Sequence, residues 1–157
     1  MTNLSAKASN RVGINRSLIA IAIGIFFLTV NLKKQILMEE ILALQLVLSI
    51  PMLLVSTLAY TKLGYREKTE KWNILAWVTF IFGYTFLLNI IGILLNEVVG
   101  LNIALIYFIV TWLVSLAYSV IDISYNRPVW KERLIKDIFF TLILIIFGIL
   151  PALGVFC

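Results

Sequence analysis

The sequence predicts an all-α protein, an integral membrane bundle of five transmembrane helices, and three observations predict it. Hydrophobic residues make up 62% of the chain and charged residues only 13%, about half the roughly 25% of an average soluble domain. Long apolar runs cover residues 17–34, 41–61, 73–96, 101–122 and 138–157, each close to the roughly 20 residues that carry a helix across a bilayer core. The basic residues sort to alternate ends of those runs. Lys7, Arg11, Arg16, Lys62, Arg66, Lys68, Lys71, Arg127, Lys131, Arg133 and Lys136 fall on one side, and Lys33 and Lys34 on the other.

Excess Lys and Arg mark the cytoplasmic face, so the N-terminus is expected inside and the C-terminus outside. A missing span would scramble the sorting, so it supports five spans independently of hydropathy. A single transmembrane domain over 17–157 is expected, behind a basic cytoplasmic tail over 1–16. The expected setting is multi-pass, in a plasma membrane of the prokaryotic kind.

The first run resembles a secretory leader in having a basic start and an apolar middle. It ends, however, in Thr29, Val30, Asn31, Leu32, Lys33 and Lys34, without the small-residue pattern of a cleavage site. It is therefore read as a retained helix whose lysines snorkel to the surface. Glu39 and Glu40 suit the N-terminus of the second helix. Pro51 inside that helix removes a backbone hydrogen bond and predicts a kink, which membrane helices tolerate when neighbouring groups satisfy the freed carbonyl. Gln45, Ser49, Met52, Ser56 and Tyr60 share one of its faces.

The third and fourth helices are joined by Asn96, Glu97, Val98, Val99 and Gly100, which predicts an antiparallel hairpin with Asn89 at the level of Ile109 to Thr111, facing inward. Each carries a polar stripe at helical spacing: Thr85, Asn89, Gly92 and Asn96 on the third, and Thr111, Ser115, Tyr118 and Asp122 on the fourth. Before the fifth run, Asn126 is placed to cap a short helix starting near Arg127 and Pro128. Arg127, Lys131, Arg133 and Lys136 would there meet lipid headgroups. Asp122 is expected to pair with a basic loop residue such as Arg66 or Arg127.

The composition narrows function mainly by subtraction. There is no histidine, which removes the commonest general base and transition-metal ligand. The one cysteine, Cys157, permits no disulfide within the chain. The net charge of +5 lies in short loops beside apolar runs, which points to membrane orientation and away from nucleic acid. Asp122 and Glu97 sit at opposite ends of one span and cannot form a catalytic pair.

No catalytic, metal or cofactor residues are therefore assigned. The candidate ligand-binding or path-lining residues are Gln45, Ser49, Thr85, Asn89, Thr111, Ser115 and Tyr118. An amide in hydrocarbon must face protein or a hydrated cavity, so the stripes are either interhelical glue or a site. The expected function is non-catalytic binding of a hydrophobic ligand or membrane partner, as an accessory subunit or immunity-type protein does. Expected partners are the lipid bilayer, a membrane protein or peptide, and a second copy of the chain. The alternative is a small oligomeric channel or transporter for a neutral or weakly charged solute. An intramembrane enzyme is the least supported reading.

Overall fold

The computed structural model describes residues 2–32, 40–63, 70–125 and 130–155. The fold is all-α, with five long helices: α1 (Thr2–Leu32), α2 (Glu40–Leu63), α3 (Glu70–Val98), α4 (Leu101–Tyr125) and α5 (Trp130–Ala152). Each holds a stretch long and apolar enough to cross a bilayer, and the protein is a multi-pass membrane protein. Lys33, Lys34, Glu39, Arg66, the Asn126 cap, Arg127, Pro128 and Cys157 lie outside the described residues. The chain divides into two compact units, Met1–Leu87 and Leu88–Cys157.

In the first unit α1 packs along α2. The residues expected to form a tail are instead the opening turns of α1. The reason is visible in the sequence: no proline interrupts them, and Ala6, Lys7, Ala8 and Arg11 are good helix formers. Their burial pattern also runs on unbroken, because Ala8, Asn15, Ala22 and Thr29 are all buried at seven-residue intervals, the seam of two helices packed side by side. On α2 the buried residues are Leu42, Gln45, Leu46, Ser49, Leu53, Ser56 and Ala59.

The α1 face inverts the pattern of a soluble helix, with small and polar side chains inside and Phe27 and Leu28 exposed at 59% and 60%. α2 buries Leu42, Leu46 and Leu53 together with its small and polar residues, while Val47 and Leu58 are exposed at 65% and 64%. In lipid, burying a large apolar side chain gains little, whereas close backbone approach and satisfied polar groups gain contact and hydrogen bonds. Pro51 sits on the exposed side of α2, which stays helical through it.

Asn15 and Ser56 fix how the three helices of this unit meet. Asn15 Nδ2 donates to Ser56 Oγ at 3.0 Å, and Ser56 Oγ donates to the Ala76 carbonyl at 2.9 Å. α1, α2 and α3 are thus joined by two consecutive bonds. Deeper along the α2–α3 contact, a Cβ on Gly83 would stand 3.1 Å from the Ser49 carbonyl oxygen and 2.8 Å from Leu53 Cγ. Ser56 facing Ala76 and Ser49 facing Gly83 make the two helices antiparallel.

In the second unit the end of α3 turns into α4 through Val99 and Gly100 alone. The amides of Val99 and Gly100 both donate to the Leu95 carbonyl, and Gly100 takes φ +118°, a conformation open to glycine and strained for other residues. The reversal is tighter than the five-residue turn expected, because helical hydrogen bonding continues through Asn96, Glu97 and Val98. Gly92 lies against Phe108 of α4, the register that puts Asn89 beside Thr111, and Asn89 faces inward as expected.

The short helix and the last run of the sequence reading are one continuous helix, α5. It is α-helical over Trp130–Leu144, widens to a π-helix over Ile145–Ile149 and returns to α over Leu150–Ala152. Pro151 accounts for the widening. A proline ring collides with the carbonyl four residues back and offers no N–H. In the π turn the Leu150 amide instead reaches back five residues to the Ile145 carbonyl, which lets the chain step around the ring.

Candidate functional site

Along α3, Thr85, Asn89 and Gly92 are buried and Asn96 is half-buried. In the second unit this stripe is a seam against α5. Asn89 Nδ2 donates to the Ile143 carbonyl at 3.3 Å, just before the π turn, and Asn96 Nδ2 donates to the Ala152 carbonyl at 3.2 Å, at the end of the helix where carbonyls lack intrahelical partners. The partners lie 54 and 56 residues ahead, so the helices run parallel. Seven residues of α3 match nine of α5, and the extra residue of the π turn absorbs one of the two.

Gly148, inside the π turn, gives room for this contact. A Cβ there would run into the Asn89 side-chain amide and the Phe108 ring. Asn89 Oδ1 is buried with no hydrogen-bond partner. Each interhelical amide bond of this kind contributes about 0.6 to 2 kcal/mol. Asn89→Leu is expected to lower the stability of the detergent-solubilised protein by about 1 kcal/mol, measured as a shift in its unfolding midpoint. An unchanged midpoint would show that the bond is not made.

The hydroxyl candidates behave differently from the amides. Ser49 Oγ donates to Leu46 O at 2.9 Å and Thr85 Oγ1 to Ile81 O at 2.7 Å, so both are spent on their own helices. Thr29, Thr57, Thr61 and Thr79 do the same. A hydroxyl can bond the carbonyl one turn back, and an asparagine cannot do so without leaving its second amide hydrogen or its oxygen unmatched. Gln45 is fully buried on α2.

The candidates divide accordingly. Gln45, Ser49 and Thr85 are buried in the first unit and Asn89 in the second, whereas Thr111 and Ser115 are half-exposed and Tyr118 is 53% exposed. Of the α4 stripe, Tyr118 and Asp122 meet Arg133 of α5, while Thr111 and Ser115 have no interhelical hydrogen bond among the described residues. The stripe is flanked by the outward-facing Val110, Leu113, Val114 and Val120.

Where α4 ends and α5 begins, a charged cluster forms that the sequence reading missed. Ser119 Oγ donates to Asp137 Oδ1 at 2.7 Å and accepts from Arg133 Nε at 2.9 Å. Arg133 Nε also lies 3.7 Å from Asp137 and 3.9 Å from Asp122, and its guanidinium covers the Tyr118 ring at 4.6 Å. The expected partners of Asp122, Arg66 and Arg127, are outside the described residues; Arg133 is the observed one. Arg133 turns inward and is not spread on the surface with Lys131, because two carboxylates draw it there. The four-residue step from Arg133 to Asp137, which sets both on one helix face, was the available signal. Nearby, Trp112 Nε1 donates to Thr141 Oγ1 at 3.2 Å, a further α4–α5 bond.

Among the described residues, no three thiol, imidazole or carboxylate side chains gather where a metal ion could be held. No family model, curated protein or solved structure matches this chain.

Proposed function

We propose that this protein is a non-catalytic membrane protein that binds a hydrophobic ligand or a membrane-embedded partner, as an accessory subunit or immunity-type protein does, and that it does so on the outer face of α4. The observation that supports this reading is the division of the polar residues. Gln45, Ser49 and Ser56 of α2 and Thr85 and Asn89 of α3 are buried, and the amides of Asn89 and Asn96 are engaged in holding helices together. Thr111, Ser115 and Tyr118 stay accessible within an apolar surface. A few hydroxyls inside an apolar face orient a ligand without any need for reacting groups at hydrogen-bond distance of one another.

Transport makes a different demand, since a solute path needs polar groups facing water through the depth of the span. Reconstitution into liposomes separates the two. The expected result is no selective solute or ion flux. Selective flux, abolished by Asn89→Leu or Gln45→Leu, would replace the binding reading with that of a channel or transporter.

A further inference from the structure

We propose that Arg11 is a binding site for the phosphate of an anionic membrane lipid. Arg11 lies six residues before the first apolar run, which begins at residue 17, about 9 Å along the helix axis. That places it at the level of the headgroups that border the hydrocarbon. The side chain is half-buried, and its guanidinium carbon sits 5.4 Å from the centroid of the Phe80 ring. Phe80 in turn stacks on Tyr84, with centroids 5.7 Å apart and planes within 3°.

Charge distinguishes this arginine from the basic residues near the start of α5. There Arg133 is answered by Asp122, Asp137 and Ser119, Lys136 by Glu132, and Lys131 lies over the Trp130 ring. Arg11 has no carboxylate and no hydrogen-bond acceptor among the described residues; its contact is with an aromatic face. A guanidinium keeps its charge under all ordinary conditions and carries five N–H donors. The ring answers the charge in part and takes none of the donors.

Left so at the edge of an apolar span, the group is costly unless an anion arrives from outside the chain. Phosphate oxygens match the planar fork of arginine two at a time. Lipid headgroups present them at this depth, which soluble anions do not. Arg16, just before the apolar run, is exposed on α1 and meets the headgroup surface without a ring to hold it.

The test uses the full-length protein in detergent micelles, titrated with short-chain phosphatidylglycerol and, separately, with phosphatidylcholine of the same chain length. Phosphatidylglycerol is expected to bind more tightly. Arg11→Gln, which keeps donors and loses the charge, is expected to weaken phosphatidylglycerol roughly fivefold and leave phosphatidylcholine unchanged. Arg16→Gln is expected to change either lipid about twofold or less.

Equal phosphatidylglycerol affinity in wild type and Arg11→Gln would overturn the proposal. So would an equal loss in Arg16→Gln, which would mean diffuse attraction, or displacement of the lipid by inorganic phosphate at equal concentration, which would mean a site for the free ion. Should Arg11→Gln fail to fold, Phe80→Leu keeps the charge and removes its seat. It is expected to weaken phosphatidylglycerol roughly two- to fivefold, and an unchanged affinity there would equally reject the site.

Discussion

Gly92→Ala is expected to destabilise the protein by about 2 to 3 kcal/mol, the upper part of the range for overpacking a filled interior. The added methyl would run into the ring of Phe108, and Phe108 is itself fully buried. It also bounds the space of Gly148, so the ring cannot swing that way without meeting the π turn. The strain must then open the α3–α4 hairpin or loosen Asn89 from Ile143. Unfolding in detergent, followed by circular dichroism or by loss of monodispersity, reads the effect. Adding Phe108→Leu should return part of the lost stability by making room, the coupling expected of residues in contact. If Gly92→Ala alone left stability unchanged, the close approach of α3 and α4 at this level would be refuted.

Arg133→Ala has a comparably large expected effect for a different reason. It leaves Asp122 and Asp137 without the guanidinium they share, and Ser119 with one hydrogen bond fewer. Removing one partner of a fully buried ion pair costs about 3 to 5 kcal/mol. Here the side chains of Arg133 and Asp137 retain 18% and 16% exposure and that of Asp122 37%, so solvent screens part of the charge and about 2 kcal/mol is expected. Arg133→Lys keeps the charge and loses the Nε donor and the cover over Tyr118, and should fall between the two. A loss for Arg133→Ala no larger than that of an exposed control such as Lys131→Ala would show that the cluster contributes nothing beyond surface charge.

The helices and their number were readable from hydropathy, because five long apolar runs admit few other arrangements. The start of α1 was not. Lys7, Arg11 and Arg16 look like a solvated tail until the spacing of Ala8, Asn15, Ala22 and Thr29 is followed across the boundary, and helix propensity alone does not say where a polar helix stops. The last helix was divided for a similar reason, since the charges from Lys131 to Asp137 suit a short helix at the headgroups, separate from the apolar run that follows, when their pairing is unknown. Which polar residues act between helices was legible only in part. Spacing grouped Thr85 with Asn89 and Asn96 on one face, yet a threonine can bond its own helix and did, while the asparagines reached across. The π turn follows from Pro151 and Gly148, but proline in a membrane helix predicts a distortion without its type.

Gln45, Ser49, Ser56, Thr85 and Asn89 are fully buried on α2 and α3, and the binding reading requires that they line no hydrated path. Accessibility of single cysteines to water tests this most directly, with Cys157→Ser as the background. Ser49→Cys, Ser56→Cys and Thr85→Cys are close in size to the residues they replace, and all three positions are fully buried. Their thiols should stay unmodified by a charged thiosulfonate reagent added to either face of membranes carrying the protein, while Lys62→Cys, exposed at the end of α2, reacts readily. Rapid modification of Ser49→Cys and Thr85→Cys in membranes where the protein is folded would mean that water reaches these stripes, and would contradict the account.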